Sequence, residues 1–259
     1  MKKHITTILL AIIGLTFISF MANDSVMLRF KPTIGKTMTC QTKSTQIMTM
    51  NVQGQSMNTN QTMEMKAELT AKEANKENIT CDAQLKYMKL TQSAMGMTMV
   101  YDSEHPEKTS PLLAGAVEEY GKALNKTYQI VFDPMGNIVE TSSEKGNNLP
   151  NFSAIYPEES VTMGSQWTSD LTQDISGVEV TVKTTYTVTK ITKKETTVSI
   201  EGTMNSNEVN GTNTGSMVID NATGLTKTST IKTNMSMTIE QQGLSIPVTV
   251  NGTTNITIE

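Results

Sequence analysis

The sequence predicts an all-β protein: a duplicated, curved antiparallel sheet or part-barrel with long strands and one amphipathic helix. Three observations predict it. Apolar and polar residues alternate with a period of two over long stretches. Thr, Asn and Met are plentiful and aromatics make up 5% of the chain, a composition that favours strands joined by Asn and Gly turns. Short motifs recur in the two halves, as an internal duplication would leave them.

The alternation is clearest from Met57 onward. Met57, Thr59, Gln61, Met63, Met65, Ala67, Leu69 and Ala71 fall on one face; Asn58, Asn60, Thr62, Glu64, Lys66 and Glu68 fall on the other. Ile79, Cys81, Ala83, Leu85 and Tyr87 continue the pattern, as do Val178, Val180 and Val182, and Ile231, Met235, Met237 and Ile239. Half-buried antiparallel strands read this way. Turns are expected at 51–56, 74–76, 193–195 and 242–243. Several strands come out at about 12 residues, above the usual ~5–6, which suits a coiled sheet better than a compact sandwich.

Two pairs of motifs carry the duplication. Thr33-Ile34-Gly35 and Thr162-Met163-Gly164 each lead into a long strand. Val131-Phe132-Asp133 precedes a turn closed by Gly136, and Val218-Ile219-Asp220 one closed by Gly224. Asp before such a turn can accept backbone amides, and Gly supplies the positive φ. The expected organisation is a signal peptide at 1–22, a first β repeat at 23–145, a connection at 146–160 and a second repeat at 161–259. Ser110-Pro111 is a good helix start. Leu113, Val117, Tyr120 and Leu124 follow at helical spacing, which predicts an inserted helix over 111–125.

The positive lead Met1-Lys2-Lys3-His4 and the apolar run Ile5–Phe20 read as a secretory signal, cleaved after Ala22 or Ser19. No Cys lies near it, so no lipid anchor is expected there. The reading is a secreted or periplasmic protein, with membrane association only through an uncleaved N-terminal segment. The formal charge of −4 becomes more negative without Lys2 and Lys3, and the remaining charges are interspersed. Nucleic-acid binding, which rests on clustered Lys and Arg, is not expected. Arg29 is the sole arginine.

Catalytic machinery is not recognisable. His105 is the single histidine beyond the signal and sits in a turn-like stretch, so a metal site, which wants three or four ligands, is not expected. No nucleophile elbow, phosphate loop or dinucleotide fingerprint occurs. Cys40 and Cys81 fall on inward strand faces. If their strands flank a third they are about 9–10 Å apart, beyond the ~7 Å a disulfide allows. Buried free thiols are the expectation, with a disulfide as the open alternative. No cofactor is expected.

Methionine is the distinctive residue. More than half of the 19 lie between Met38 and Met99, often as Met-x-Met. Strand periodicity turns these sulfurs to one face. A thioether site for Cu(I) is one reading; a pliable apolar lining is the other, since Met adapts to varied partners.

The stretches Leu28-Arg29-Phe30-Lys31-Pro32, Phe132-Asp133-Pro134-Met135-Gly136 and Val161-Thr162-Met163-Gly164-Ser165-Gln166-Trp167 resemble exported Bacteroidota proteins of unknown function, domain-of-unknown-function family 6263. The motifs of that family are structural and imply no reaction. Strand order and the inserted helix are distantly similar to the lipoprotein-carrier fold, which implies a lipid or other apolar ligand.

The resulting expectation is a non-enzymatic protein binding a hydrophobic small molecule, a lipid or a lipidated partner. The candidate lining is Met63, Met65, Leu85, Tyr87, Met97 and Met99 from the sheet, with Leu113 and Tyr120 from the helix. A structural envelope protein with a protein partner, and a methionine-based Cu(I) binder, are the alternatives.

Overall fold

The computed structural model describes residues 25–52, 54–113, 121–142, 154–175, 178–206, 208–241 and 244–259. They form one open antiparallel sheet of 12 strands. The strands are β1 (Thr37–Val52), β2 (Gln55–Ala74), β3 (Ile79–Ala94), β4 (Met97–Asp102), β5 (Thr127–Phe132), β6 (Ile138–Thr141), β7 (Gln166–Ile175), β8 (Val178–Ile191), β9 (Glu195–Asn205), β10 (Val209–Asp220), β11 (Thr226–Gln241) and β12 (Leu244–Ile258). Their order across the sheet is β6-β5-β3-β2-β1-β12-β11-β10-β9-β8-β7, with β4 also on β3. The long β3 gives one end of its free edge to β5 and the other to β4. Strands of 16 and 20 residues exceed even the expected length.

The halves meet where β12 pairs with β1, from Cys40 opposite Ile258 to Met50 opposite Val248. Matching irregularities mark the two halves. Gly35 N donates to Ala71 O at 2.8 Å, and Gly164 N to Val188 O at 2.9 Å. The β2–β3 register slips just after Ala71, and the β8–β9 register just after Val188. It slips again at Val131/Phe132 and at Val218/Ile219, each just before the aspartate of a turn.

One face of the sheet is apolar. Its main core joins both halves around Leu28, Phe30, Leu69, Leu85, Val198 and Ile219. A second cluster lies towards the hairpin tips, with Val180, Met204, Val209, Met237, Val248 and Val250. A third holds Met88, Leu90, Tyr101 and Leu113. The N-terminal segment is a strap over the main core. Val26 bridges to Val161, Phe30 N donates to Pro134 O at 2.8 Å, and Lys31 N donates to Thr223 O at 2.7 Å. The strap therefore ties the β5–β6 turn of one half to the β10–β11 turn of the other. Arg29 locks it, its guanidinium donating to Pro157 O at 2.7 Å and also to Glu158 O.

The backbones of β10 and β11 approach closely at Gly215. A Cβ on Gly215 would stand 2.1 Å from Thr230 O on β11. Glycine in a strand marks such an approach. Gly215→Ala must push β11 away from β10, and the expected outcome is a loss of about 2–3 kcal/mol in urea unfolding.

One expectation is met in part and one needs correction. The helix expected over 111–125 is preceded by a 3-10 turn at Pro111–Leu113 and is α-helical at 121–123, and at Leu124 the chain joins a parallel bridge to Leu85. Asn125 has φ +60°. Val117, Tyr120 and the rest of 114–120 lie outside the described residues. Tyr87 does not share a face with Leu85. Lys66 pairs with Tyr87 while Ala67 pairs with Leu85, so Lys86 is a bulge and every side chain after it changes face. Met88 takes the inward place.

Candidate functional site

The apolar face between the sheet's two arms is the candidate site. Its side chains come from alternate positions of β1, β2, β3 and β8–β12, brought into one wall by the antiparallel registers. Met63 and Met65 are half-buried and pack with Met99 and Leu113 against Met88, Leu90 and Tyr101. Four of the residues expected as lining are thus gathered in one cluster. Leu85, 1% exposed, belongs to the solid main core. Tyr87 lies on the outer face with Lys66 Nζ 5.4 Å from its ring. Met97 is 59% exposed beside the β3–β4 turn. Tyr120 lies outside the described residues.

A second group, on β1, β11 and β12, was missing from the expected lining. Met48, Met50, Met235, Ile239 and Ile246 are partly exposed around the second cluster. The Met48-x-Met50 and Met235-x-Met237 repeats were the available signal. What they lacked was the register that sets Met48, Val250 and Met235 side by side on three neighbouring strands.

Between the clusters the wall is polar. Gln92, Gln61 and Gln46 stand opposite one another on β3, β2 and β1. The row continues through Gly252 on β12 and Thr233 on β11 to Asn213 on β10. From β3 to β8 no inner-face position of the described residues carries a charge.

The outer face is a different surface. Cavities of about 590 and 460 Å³ lie along it, lined mainly by Thr203, Asn210, Thr212, Thr45, Asn60 and Lys232, and both reach Asn234 and Asn251.

The two cysteines are free and buried. Their strands β1 and β3 flank β2, with Cys40 opposite Ala67 and Cys81 opposite Ala71. Burial pushes the Cys40 thiol up to about 11 against a 3.8 Å contact with Thr42 Oγ1. Burial and the neighbouring Asp82 carboxylate push Cys81 up to about 12. A nucleophile needs the opposite shift. At pH 8 the folded protein is expected to react with Ellman's reagent only slowly, and both thiols at once after denaturation. Fast labelling of the native protein would contradict this burial.

His105 is exposed, with Nδ1 3.5 Å from Glu107 Oε1. Asp102 is buried and pairs with Lys89 at 3.3 Å. Among the described residues no group of three or more His, Cys, Asp or Glu could hold a metal ion. Among them, too, no helix is long and apolar enough to cross a membrane.

Asp220 organises the β10–β11 turn. Burial alone would raise its pKa, but the Thr223 hydroxyl and amide, the Ala222 amide and Lys227 together hold it below the usual value. A depressed folded pKa stabilises the fold above the unfolded value of about 3.9, and that contribution is lost as pH falls through the folded value. Asp220→Asn should lower stability at pH 7 and flatten its fall below pH 4, as read by urea unfolding across that range.

Among solved structures the chain is similar to one described as lipid-protein interactions in lipovitellin, with a TM-score of 0.53 and 14% identity over 88% of this chain. The match takes in 25% of that chain, so this protein spans about a quarter of it. The likeness is one of fold. No curated protein matches. Residues 146–226, from the connection through β7–β10, match the model of a family of unknown function, DUF6263.

Proposed function

We propose that this is an exported, non-enzymatic protein that binds a hydrophobic ligand on the inner face of its open sheet. The observation that carries the reading is two groups of half-buried apolar side chains on the inner face, Met63, Met65 and Met99 on β2 and β4, and Met48, Met50 and Met235 on β1 and β11. An apolar wall that remains partly exposed gains by covering that area, at ~25 cal/mol per Å² removed from water. Methionine suits a flexible partner, because its unbranched chain follows an irregular shape. The fold it shares with a protein studied for its lipid contacts supports the same reading. Burial holds both thiols at raised pKa values, which does not favour a thiolate nucleophile.

Native mass spectrometry of protein purified from its own host tests the proposal. Adducts that disappear on organic extraction and return on titration with a lipid extract are the expected result. Protein that is ligand-free from every preparation, and takes up nothing on titration, would overturn it.

A further inference from the structure

The polar row across the inner face is the feature that hydrophobic binding leaves unexplained. A wall built only to cover hydrocarbon would carry Val, Leu or Met at those positions. Here adjacent strands present Gln92, Gln61 and Gln46, then Gly252, Thr233 and Asn213. All six are half-buried. Asn213 Oδ1 is shielded from solvent and accepts no hydrogen bond among the described residues. A buried acceptor without a donor is destabilising, and a hydroxyl or N–H brought by a ligand would relieve it once the amide turns towards it.

The charge pattern limits what that ligand can be. The inner face from β3 to β8 holds no Lys, Arg, Asp or Glu among the described residues. A carboxylate or phosphate drawn into it would lose water and find no counter-ion, which is costly. Amide and hydroxyl side chains suit an uncharged group with both donors and acceptors. Beyond the row, Met48 and Met50 on β1 continue towards the hairpin tip with Val250 and Val248 beside them. From Gln46 to Val52 the strand runs about 20 Å, at ~3.3 Å per residue, room for an extended long hydrocarbon chain.

We infer that the ligand is a neutral amphiphile, its uncharged hydrogen-bonding group on the Gln–Thr–Asn row and its hydrocarbon chain along the methionine and valine wall towards the hairpin tips. This rests on the reading of the inner face as a hydrophobic binding surface and names the ligand class for that surface.

Calorimetric titration of the delipidated protein at pH 8 with 1-monopalmitoylglycerol and with palmitate, both below their aggregation concentrations, tests it. Nile red serves as an uncharged apolar probe of the wall itself. The monoglyceride is expected to bind at least about tenfold more tightly than palmitate, the scale of one unpaired charge or lost hydrogen bond. The double variant Gln46→Leu/Gln61→Leu should lose about tenfold in monoglyceride affinity and keep Nile red binding. Gln61→Ala gives a second variant with no added bulk. Palmitate binding as tightly as the monoglyceride, or variants that bind the monoglyceride unchanged, would overturn the neutral-amphiphile assignment while Nile red binding preserves the wall. Failure of both lipids and of Nile red would remove the wall as a binding surface, and this assignment with it.

Discussion

Gly224→Ala is expected to destabilise the protein by about 4 kcal/mol and lower its melting temperature by about 10 °C. Gly224 has φ +65°, a conformation that costs a residue with a Cβ ~1–2 kcal/mol. Most of the loss is steric. The new Cβ would stand 2.0 Å from Arg29 O and 2.5 Å from Arg29 C. Both are backbone atoms of the strap, so no side-chain rotation relieves the clash and the strap must lift. Lifting it breaks the bond from Lys31 N to Thr223 O and disturbs Gly224 O, which accepts from the buried Tyr156 hydroxyl. Gly96→Ala is the control. Gly96 has φ +78° but nothing within 4 Å of its Cβ position, so only the conformational cost of ~1–2 kcal/mol should appear. Equal melting-temperature shifts for the two variants would show that the strap yields freely.

The strap was the part of the fold least legible in the sequence, and the reason is local. Leu28-Arg29-Phe30 has too few residues for any periodicity, and what fixes it is contact with turns more than 100 residues further on, such as Pro134 and Thr223. The strands were legible because a half-buried antiparallel strand writes its burial into alternate positions, as β2 does from Thr59 to Ala71. The Asp-to-Gly turns at 133–136 and 220–224 were legible because backbone geometry restricts their residues; both glycines have positive φ. The bulge at Lys86 was not. A single extra residue inverts the face of everything after it without disturbing local composition, which is why Tyr87 was assigned to the wall and Met88 was overlooked. The candidate wall was half visible for a similar reason. Met63 and Met65 announce themselves within one strand, whereas the row from Gln92 to Asn213 exists only across strands and needs every register to be known. The helix was legible in part: 121–123 are α-helical, while Leu113 and Leu124 reach the apolar side from a 3-10 turn and a bridge at either end.

Phe30→Ala is expected to have an effect of similar size by a different route. Phe30 is fully buried and packs on Phe132 with ring centroids 4.7 Å apart at 48°. Truncating a buried phenylalanine costs about 3–5 kcal/mol through lost contacts and the cavity left behind. Here the site is bounded by both halves of the sheet, so the cavity opens at their junction, where collapse needs long strands to move together. Phe30→Leu, which keeps most of the volume, should recover more than half of the loss. The decisive measurement combines this variant with the glycine one. If the strap docks as a unit, whichever change comes first already undoes what the second would disrupt. Phe30→Ala/Gly224→Ala should then cost clearly less than the two single losses added together, with a coupling of about 1–3 kcal/mol. Strict additivity would mean that Phe30 fills its pocket and Gly224 passes under Arg29 as separate events. The strap would then be two neighbouring contacts, and it would hold the β5–β6 and β10–β11 turns together only as strongly as either contact alone.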